Sequence, residues 1–490
     1  MLRPFLAGCG LALLASAAQA ATAAPAAPAS TSRYTQDPYP STYKALGSGP
    51  VLLQHATVLT GTGQRLDNAD VLLQGGKIVA VGSALDAPAD AARVDATGKW
   101  ITPGIIDVHS HLGVYPSPGV GAHADGNEMT SPVTPNVWAE HSIWPQDPGF
   151  ETALAGGITS LQILPGSGNL IGGRGVTLKN VPATSYQAMK FPGAPWGLKM
   201  ACGENPKRVY GSRNVSPGTR MGNVAGYRAA FIDASEYLRK TSPKAAAPAK
   251  KRWWQSSTPA SNNADSEKDT GGKRDLKLDT LAGAIKGDIL VHIHCYRADE
   301  MTTMLDLAKE FSFKIAAFHH GVEAYKIADR LAQENVCGAL WADWWGFKME
   351  AFDGIQENLA MVDRPANSCA IVHSDSEEGI QRLNQEAAKV MAHARLAGID
   401  IAPERAIGWL TRNPAKALGI VERTGTLEPG KMGDVVVWNG NPFSVYAKAE
   451  QVYIDGARVY DRADPSRQPK SDFMLGQPAA QTATQAGGVR

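Results

Sequence analysis

The chain has 490 residues, of which 43% are hydrophobic, so it can bury a large core. Lys and Arg number 48 and Asp and Glu 47, and the net charge of +1 argues against a nucleic acid or a membrane surface as partner. A small-molecule partner is expected, and a homo-oligomer stays open. The cysteines include no C-x-x-C pair, which excludes a thiolate zinc site.

The N-terminus has the features of a signal peptide. Arg3 is basic, residues 6–18 are apolar or small but too few to span a bilayer, and Ala18-Gln19-Ala20 fits a cleavage site. We therefore expect residues 1–20 to be removed and the product to be periplasmic or secreted, without membrane association. Residues 21–50, rich in Ala, Pro, Ser and Thr, predict a linker.

Two distant regions share a short-strand pattern. Residues 51–99 contain VLLQHATVLTG and DVLLQGGKIVAVG, with a Gly-Gly turn, and residues 424–462 contain GTLEPGKMGDVVVW and QVYIDGARVY, with an Asp-Gly hairpin. The pattern predicts two halves of one small β domain, one from each end of the chain.

The region between these halves, residues 100–423, predicts an α/β fold. Many of its buried strand candidates are followed by helical segments, and the candidates are residues 101–108, 157–164, 175–181, 198–202, 289–295, 314–319, 336–341 and 369–373. Eight strands interleaved with helices predict a (β/α)8 TIM-like barrel with its chemistry at the C-terminal strand ends.

Three segments of the chain lack a strand or helix pattern. Residues 165–174, PGSGNLIGGR, predict an active-site loop over the barrel mouth. Residues 238–275 predict a flexible insertion, which Trp253 and Trp254 would dock, and residues 463–490 predict a disordered tail.

The stretch ITPGIIDVHSH at residues 101–111 places His109 and His111 on one face of a strand. Two histidines that only form hydrogen bonds would share this spacing. With its flanking TPGIID, however, the stretch resembles the first barrel strand of the amidohydrolase superfamily, and the divided β domain is similar to that of its imidazolonepropionase-like branch. The resemblance covers residues 51–460.

The resemblance implies a divalent metal, expected to be zinc, with one or two ions per chain. Its further ligands would be His294, with His292 one layer deeper, and His320, whose neighbour His319 must face the opposite side of the strand. Asp375 would be both a ligand and the catalytic carboxylate. Together these residues outweigh a purely structural interpretation, because polar groups at four strand ends are costly to bury unpaired.

The fourth strand offers two anionic ligands. Glu204, followed by Pro206, resembles the Glu-x-Pro segment of the deacetylase branch and is preferred, whereas Lys199 occupies the place of a carboxylated lysine. Arg220 is the candidate for binding an anionic substrate group. Lys207 and Arg208 are further candidates, although a solvated basic loop explains them equally well.

The expected activity is hydrolysis of an amide, cyclic amide or peptide-like C–N bond by metal-activated water, with Asp375 transferring the proton. A deaminase or a lactonase would use the same residues. A catalytically inactive binding protein is the alternative from another class, and the presence of Asp375 argues against it. The cysteines Cys202, Cys295, Cys337 and Cys369 could be free thiols or form one or two disulfides.

Overall fold

The computed structural model describes residues 33–117, 119–241, 273–344 and 346–467. The predicted signal peptide lies outside these ranges, as do residues 21–32 of the predicted linker, residues 242–272 of the predicted insertion, which include Trp253 and Trp254, and residues 468–490 of the predicted tail. None of the described helices has the length and apolar character that crossing a membrane requires.

The described residues form two sheets and the helices around them. The strands are β1 (Val51–Leu59), β2 (Arg65–Gln74), β3 (Lys77–Gly82), β4 (Ala92–Asp95), β5 (Trp100–Pro103), β6 (Ile105–Ser110), β7 (Ile158–Ile163), β8 (Ile171–Lys179), β9 (Gly197–Ala201), β10 (Leu290–His294), β11 (Ile315–His319), β12 (Cys337–Leu340), β13 (Ala370–Val372), β14 (Val435–Trp438), β15 (Ala449–Ile454) and β16 (Ala457–Asp461). The α-helices are α1 (Pro148–Ala155), α2 (Tyr186–Met189), α3 (Glu204–Gly211), α4 (Arg220–Thr241), α5 (Leu276–Lys286), α6 (Ala298–Phe311), α7 (Ala328–Gln333), α8 (Asn358–Asp363), α9 (Leu383–Leu396), α10 (Pro403–Ala406) and α11 (Arg412–Ala417).

The first sheet, called the outer sheet, joins both ends of the described chain in the order β16-β15-β14-β5-β1-β2-β3, with β4 beside β1. Its two predicted hairpins are present, and Gly75-Gly76 and Asp455-Gly456 all have positive φ, as a type I′ turn requires. Strand β14 is buried on both faces. Val435 and Val437 pack into the outer sheet, while Val436 and Trp438 pack into the barrel core.

The second sheet is the predicted barrel, in the order β6 to β13. Strand β8 differs from the prediction, since it begins at Ile171 and runs antiparallel to both β7 and β9. The connection from β7 is too short for a crossover helix, so the chain can only turn back. The predicted first strand is also divided at Gly104, which presses against Thr159 and separates β5 of the outer sheet from β6 of the barrel.

Side chains and backbone groups beyond β13 join the last barrel strand to the first. Ser374 Oγ donates to Asp107 Oδ2 at 2.5 Å, and the Ser374 backbone N–H donates to Asp107 Oδ1 at 3.2 Å. Asp107 is buried, and burial raises its pKa to about 7. The buried Asp107 side chain therefore accepts two of the hydrogen bonds at the junction where the segment after β13 meets β6.

Two disulfides connect neighbouring barrel strands. Cys202–Cys295 joins the residues that follow β9 and β10, and Cys337–Cys369 joins the start of β12 to the residue before β13. Their Cα–Cα distances are 5.2 and 4.5 Å, which lie in the range of native disulfides. All four cysteines of the described residues are therefore paired, which the sequence alone left open.

Candidate metal centre

His109 and His111 converge on one oxygen of Asp375. The Nε2 atoms of both histidines lie 3.2 Å from Asp375 Oδ1, and His320 Nε2 lies 3.8 Å from Oδ2. His111 Nδ1 is 2.8 Å from the Leu164 carbonyl and must donate to it, which directs Nε2 of the ring toward Asp375. Side-chain alternation at the end of β6 places His109 and His111 on one face, and the end of the eighth barrel strand places Asp375 beside them. The structure thus brings these three predicted residues together.

The backbone at two of these residues is left-handed. His320 has a φ of 60° and Asp375 a φ of 57°, both rare for residues other than glycine. Such conformations are concentrated at functional sites, where surrounding contacts hold them. The turn at His320 also corrects a sequence prediction, because strand alternation allowed only one of His319 and His320 to face inward. Both do, since His319 Nδ1 lies 2.9 Å from His109 Nδ1.

Two further histidines complete the cluster. His373 offers a ring nitrogen within 4.8 Å of ligand atoms on His109 and His320. His294 lies beside His320, with ring centroids 4.8 Å apart, and its Nε2 is 3.3 Å from Asn205 Nδ2. Among the described residues, the buried Nδ1 atoms of His294 and His320 have no hydrogen-bond partner. Unpaired buried nitrogens beside a carboxylate fit a borderline divalent cation such as zinc.

Burial keeps these imidazoles neutral. It lowers the pKa of His373 to about 3 and holds the pKa values of His109, His294 and His320 well below their ordinary range. A neutral imidazole has a free lone pair on one nitrogen, which is the form that binds metals.

Lys199, and not Glu204, lies against the cluster. Lys199 is buried on β9, with its Nζ 3.3 Å from His109 Nε2 and 3.0 Å from the Pro165 carbonyl, and burial lowers its pKa to about 8. Glu204 is the first residue of α3, where its Oε1 lies 3.9 Å from Lys348 Nζ. The chain beyond β9 therefore carries the Glu204 carboxylate to the rim.

Arg220 is also held at the rim, by two carboxylates. Its Nε lies 3.0 Å from Glu300 Oε2 and its Nη2 lies 2.6 Å from Glu350 Oε1. Glu350 in turn accepts the backbone N–H of Glu204 at 2.5 Å, and burial raises its pKa to about 7. Arg220 thus ties the start of α4 to the loop after β12.

A cavity of about 270 Å³ opens at the mouth. It is lined by residues that include His111, Tyr115, Asn205 and Arg208, and by the glycines Gly166 and Gly168 of the predicted active-site loop. Arg208 is an exposed cation there. Trp341 stacks on His320 at a centroid distance of 4.3 Å and covers one face of that imidazole.

Sequence reasoning did not assign roles to Asp107, Lys348 or His373. The side-chain alternation that predicted His109 and His111 also puts Asp107 on the same face of the strand. The sequence pattern could therefore have identified Asp107. Lys348 lies on an irregular loop, with its Nζ 4.0 Å from the Tyr296 ring centre, and no periodicity marks it.

The fold and the cluster define a barrel protein with a candidate metal centre at its mouth. The profile of the Amidohydrolase family matches residues 375–460. Amidohydrolase tasK of Hapsidospora irregularis is 33% identical over 450 residues, which are 85% of this chain and 44% of tasK, so the chain spans less than half of that protein. Imidazolonepropionase of Bradyrhizobium diazoefficiens is 46% identical over 50 residues, 10% of this chain and 12% of that protein.

A crystal structure of an amidohydrolase from Thermotoga maritima matches the fold with a TM-score of 0.72 and 35% identity. The match covers 84% of this chain and 100% of the Thermotoga chain. The chain belongs to the amidohydrolase superfamily, as the residues around His109 and His111 predicted. The short match to imidazolonepropionase agrees with the predicted branch.

Proposed function

We propose that this protein is an exported, metal-dependent amidohydrolase that hydrolyses an amide, cyclic amide or peptide-like C–N bond in a small molecule. The observation that carries the proposal is the convergence of His109, His111 and His320 on the carboxylate of Asp375. A divalent cation held by these residues, His294 and an anionic ligand would activate water and polarise the substrate carbonyl.

Residues of the chain would orient the site and transfer the proton. The Leu164 carbonyl orients the His111 ring by accepting a hydrogen bond from Nδ1 of that ring, and the partly exposed Asp375 carboxylate faces the mouth. Asp375 accepts a proton from the attacking water and returns it to the leaving nitrogen as the C–N bond breaks. Trp341 and the loop at Gly166 limit the access of bulk water.

We favour Lys199 over Glu204 as the anionic ligand. Lys199 Nζ lies beside His109 inside the barrel, and a lysine with a pKa of about 8 has an appreciable neutral fraction that can take up carbon dioxide. The carbamate so formed would carry the negative charge into the cluster. Glu204, at the rim of the barrel, remains the alternative anionic ligand.

Export is supported by the two disulfides. Disulfides persist in oxidising compartments and are rare in the cytosol, and the N-terminal pattern around Arg3 agrees with secretion.

The test combines metal analysis of the purified protein with turnover of dipeptides, N-acyl amino acids, cyclic amides, ring amidines and lactones. We expect bound zinc, turnover of at least one C–N substrate, loss of turnover after chelation and recovery with added zinc. Turnover of ring amidines or lactones alone would favour the deaminase or the lactonase. A metal-loaded protein that turns over none of them would support the inactive binding protein.

A further inference from the structure

Three buried histidines form a continuous chain beneath the cluster. His109 Nδ1 lies 2.9 Å from His319 Nδ1, and His319 Nε2 lies 3.0 Å from His292 Nδ1. His292 Nε2 then lies 3.4 Å from the Gln162 amide nitrogen. All three histidines are 0% exposed, so bulk water does not reach these contacts.

Each contact between two neutral imidazoles needs one N–H and one lone pair, and each ring has only one of each. The direction of one hydrogen bond therefore decides the direction of the next. If His109 carries its hydrogen on Nδ1, it donates to His319, whose own hydrogen must then be on Nε2. His319 donates in turn to His292, whose hydrogen points to Gln162.

If the hydrogen bonds run in the opposite direction, His109 is in its other tautomer. In that case His319 donates to Nδ1 of His109, and the hydrogen of His109 is on Nε2, facing Asp375 Oδ1 at 3.2 Å. A nitrogen that carries this hydrogen has no lone pair for a metal. The chain of hydrogen bonds thus couples the far side of His292 to the metal-binding capacity of His109.

Gln162 can terminate this chain of hydrogen bonds in the direction that leaves a lone pair on Nε2 of His109. Its Oε1 is buried and has no hydrogen-bond partner among the described residues, while its Nε2 faces His292. A rotation of the amide by 180° exchanges the two atoms and presents Oε1 as the acceptor for the His292 N–H.

We propose that His319 and His292 are positioning residues, which with Gln162 hold His109 in the tautomer whose Nε2 lone pair faces the barrel mouth. The proposal rests on the proposed function, because it takes His109 as a metal ligand. Groups that fix the tautomer of a ligating histidine typically contribute 10- to 100-fold to metal affinity.

The test compares two replacements of His319 in the full chain. His319→Asn keeps an acceptor oxygen close to the place of Nδ1, whereas His319→Leu removes it. We expect His319→Leu to bind zinc about 10- to 100-fold more weakly in competition with a chromophoric chelator, and His319→Asn to recover most of the affinity. His393→Leu, a change on α9 away from the cluster, is the control and should bind zinc like the unmodified protein.

A second measurement does not depend on the variants folding. In the zinc-loaded protein with ¹⁵N-labelled histidine, long-range ¹H–¹⁵N spectra should show the hydrogen on Nδ1 of His109 and on Nε2 of His319 and His292. The opposite tautomers, or unchanged zinc affinity in folded His319→Leu, would overturn the inference while the proposed function stands. If the unmodified protein binds no zinc, both fail.

Discussion

The backbone N–H of Asp375 donates a 3.0 Å hydrogen bond to the carbonyl of His109. This bond joins the segment after the last barrel strand to the first strand, and it does so at the two residues whose side chains meet in the cluster. The closure of the barrel and the geometry of the candidate metal centre therefore depend on the same contact.

Replacement of Asp375 by Asn should abolish most turnover but retain part of the metal. The amide keeps the shape of the side chain but cannot accept the proton, and positioned acid–base groups contribute about 10²- to 10⁴-fold to rate. The measurements are kcat on the best substrate and metal content by mass spectrometry. Asp86→Asn, on an exposed loop, is the control, and near-normal turnover of Asp375→Asn would contradict the proposed mechanism.

Lys199→Ala should empty the site, and bicarbonate or a short carboxylic acid should restore part of the metal and activity. Glu204→Gln should keep the metal content of the unmodified protein, because Glu204 lies at the rim beside Lys348. The metal stoichiometry of the two variants shows whether Lys199 or Glu204 is the anionic ligand. Loss of metal in Glu204→Gln with retention in Lys199→Ala would assign the role to Glu204 instead.

Arg208→Gln should raise the KM of substrates that carry a carboxylate and leave neutral substrates unaffected, since Arg208 is the exposed cation at the cavity of His111. Arg220→Gln should instead lower the melting temperature, because it leaves Glu350 and Glu300 without their shared partner. Steady-state kinetics and thermal unfolding of both variants decide the matter. A selective rise in KM for Arg220→Gln would restore that residue as the substrate ligand.

Ser374→Ala should lower the free energy of unfolding by about 1–3 kcal/mol, because it removes a donor from the buried carboxylate of Asp107. Denaturant titration measures the change, and Ser83→Ala on an exposed turn is the matched control. An unchanged unfolding midpoint would mean that the backbone donors alone satisfy Asp107.

Lys179→Met should destabilise the protein by about 3–5 kcal/mol, the usual result of removing one partner from a buried ion pair. Lys179 Nζ on β8 of the barrel lies 2.9 Å from Asp434 and 3.2 Å from Asp455 of the outer-sheet segment, and all three side chains are buried. The exposed Lys277→Met should change stability by less than about 0.5 kcal/mol. Equal unfolding midpoints for the two variants would contradict a role for this ion pair in joining the sheets.

The convergence of His109, His111 and Asp375 could be predicted because it follows from two regular features. Side chains alternate along a strand, and parallel barrel strands end at one mouth. The same alternation placed His320 correctly but wrongly turned His319 away, because a positive φ at His320 turns the chain, and no residue pattern predicts a left-handed histidine. It could not place Glu204 either, because that residue lies beyond the end of β9, where α3 sets its direction.

The direction of β8 illustrates a different limit of prediction from the sequence. Its apolar residues predicted a buried strand, but the direction of a strand depends on the length of the connection before it, and the start at Ile171 was hidden in a glycine-rich stretch. The pairing of Cys202 with Cys295 depends in the same way on which strands are neighbours, which only the closed barrel decides.

The Cys202–Cys295 bond has a practical consequence for work with this protein. Cys295 directly follows His294, so opening the bond would loosen the strand end that presents this imidazole. Both cysteines are buried, so thiol reductants would prevent the bond from forming during folding more than open it afterwards, and they would also sequester zinc. Production in an oxidising host compartment, with buffers free of such additives, is therefore the condition under which metal content and turnover should be compared.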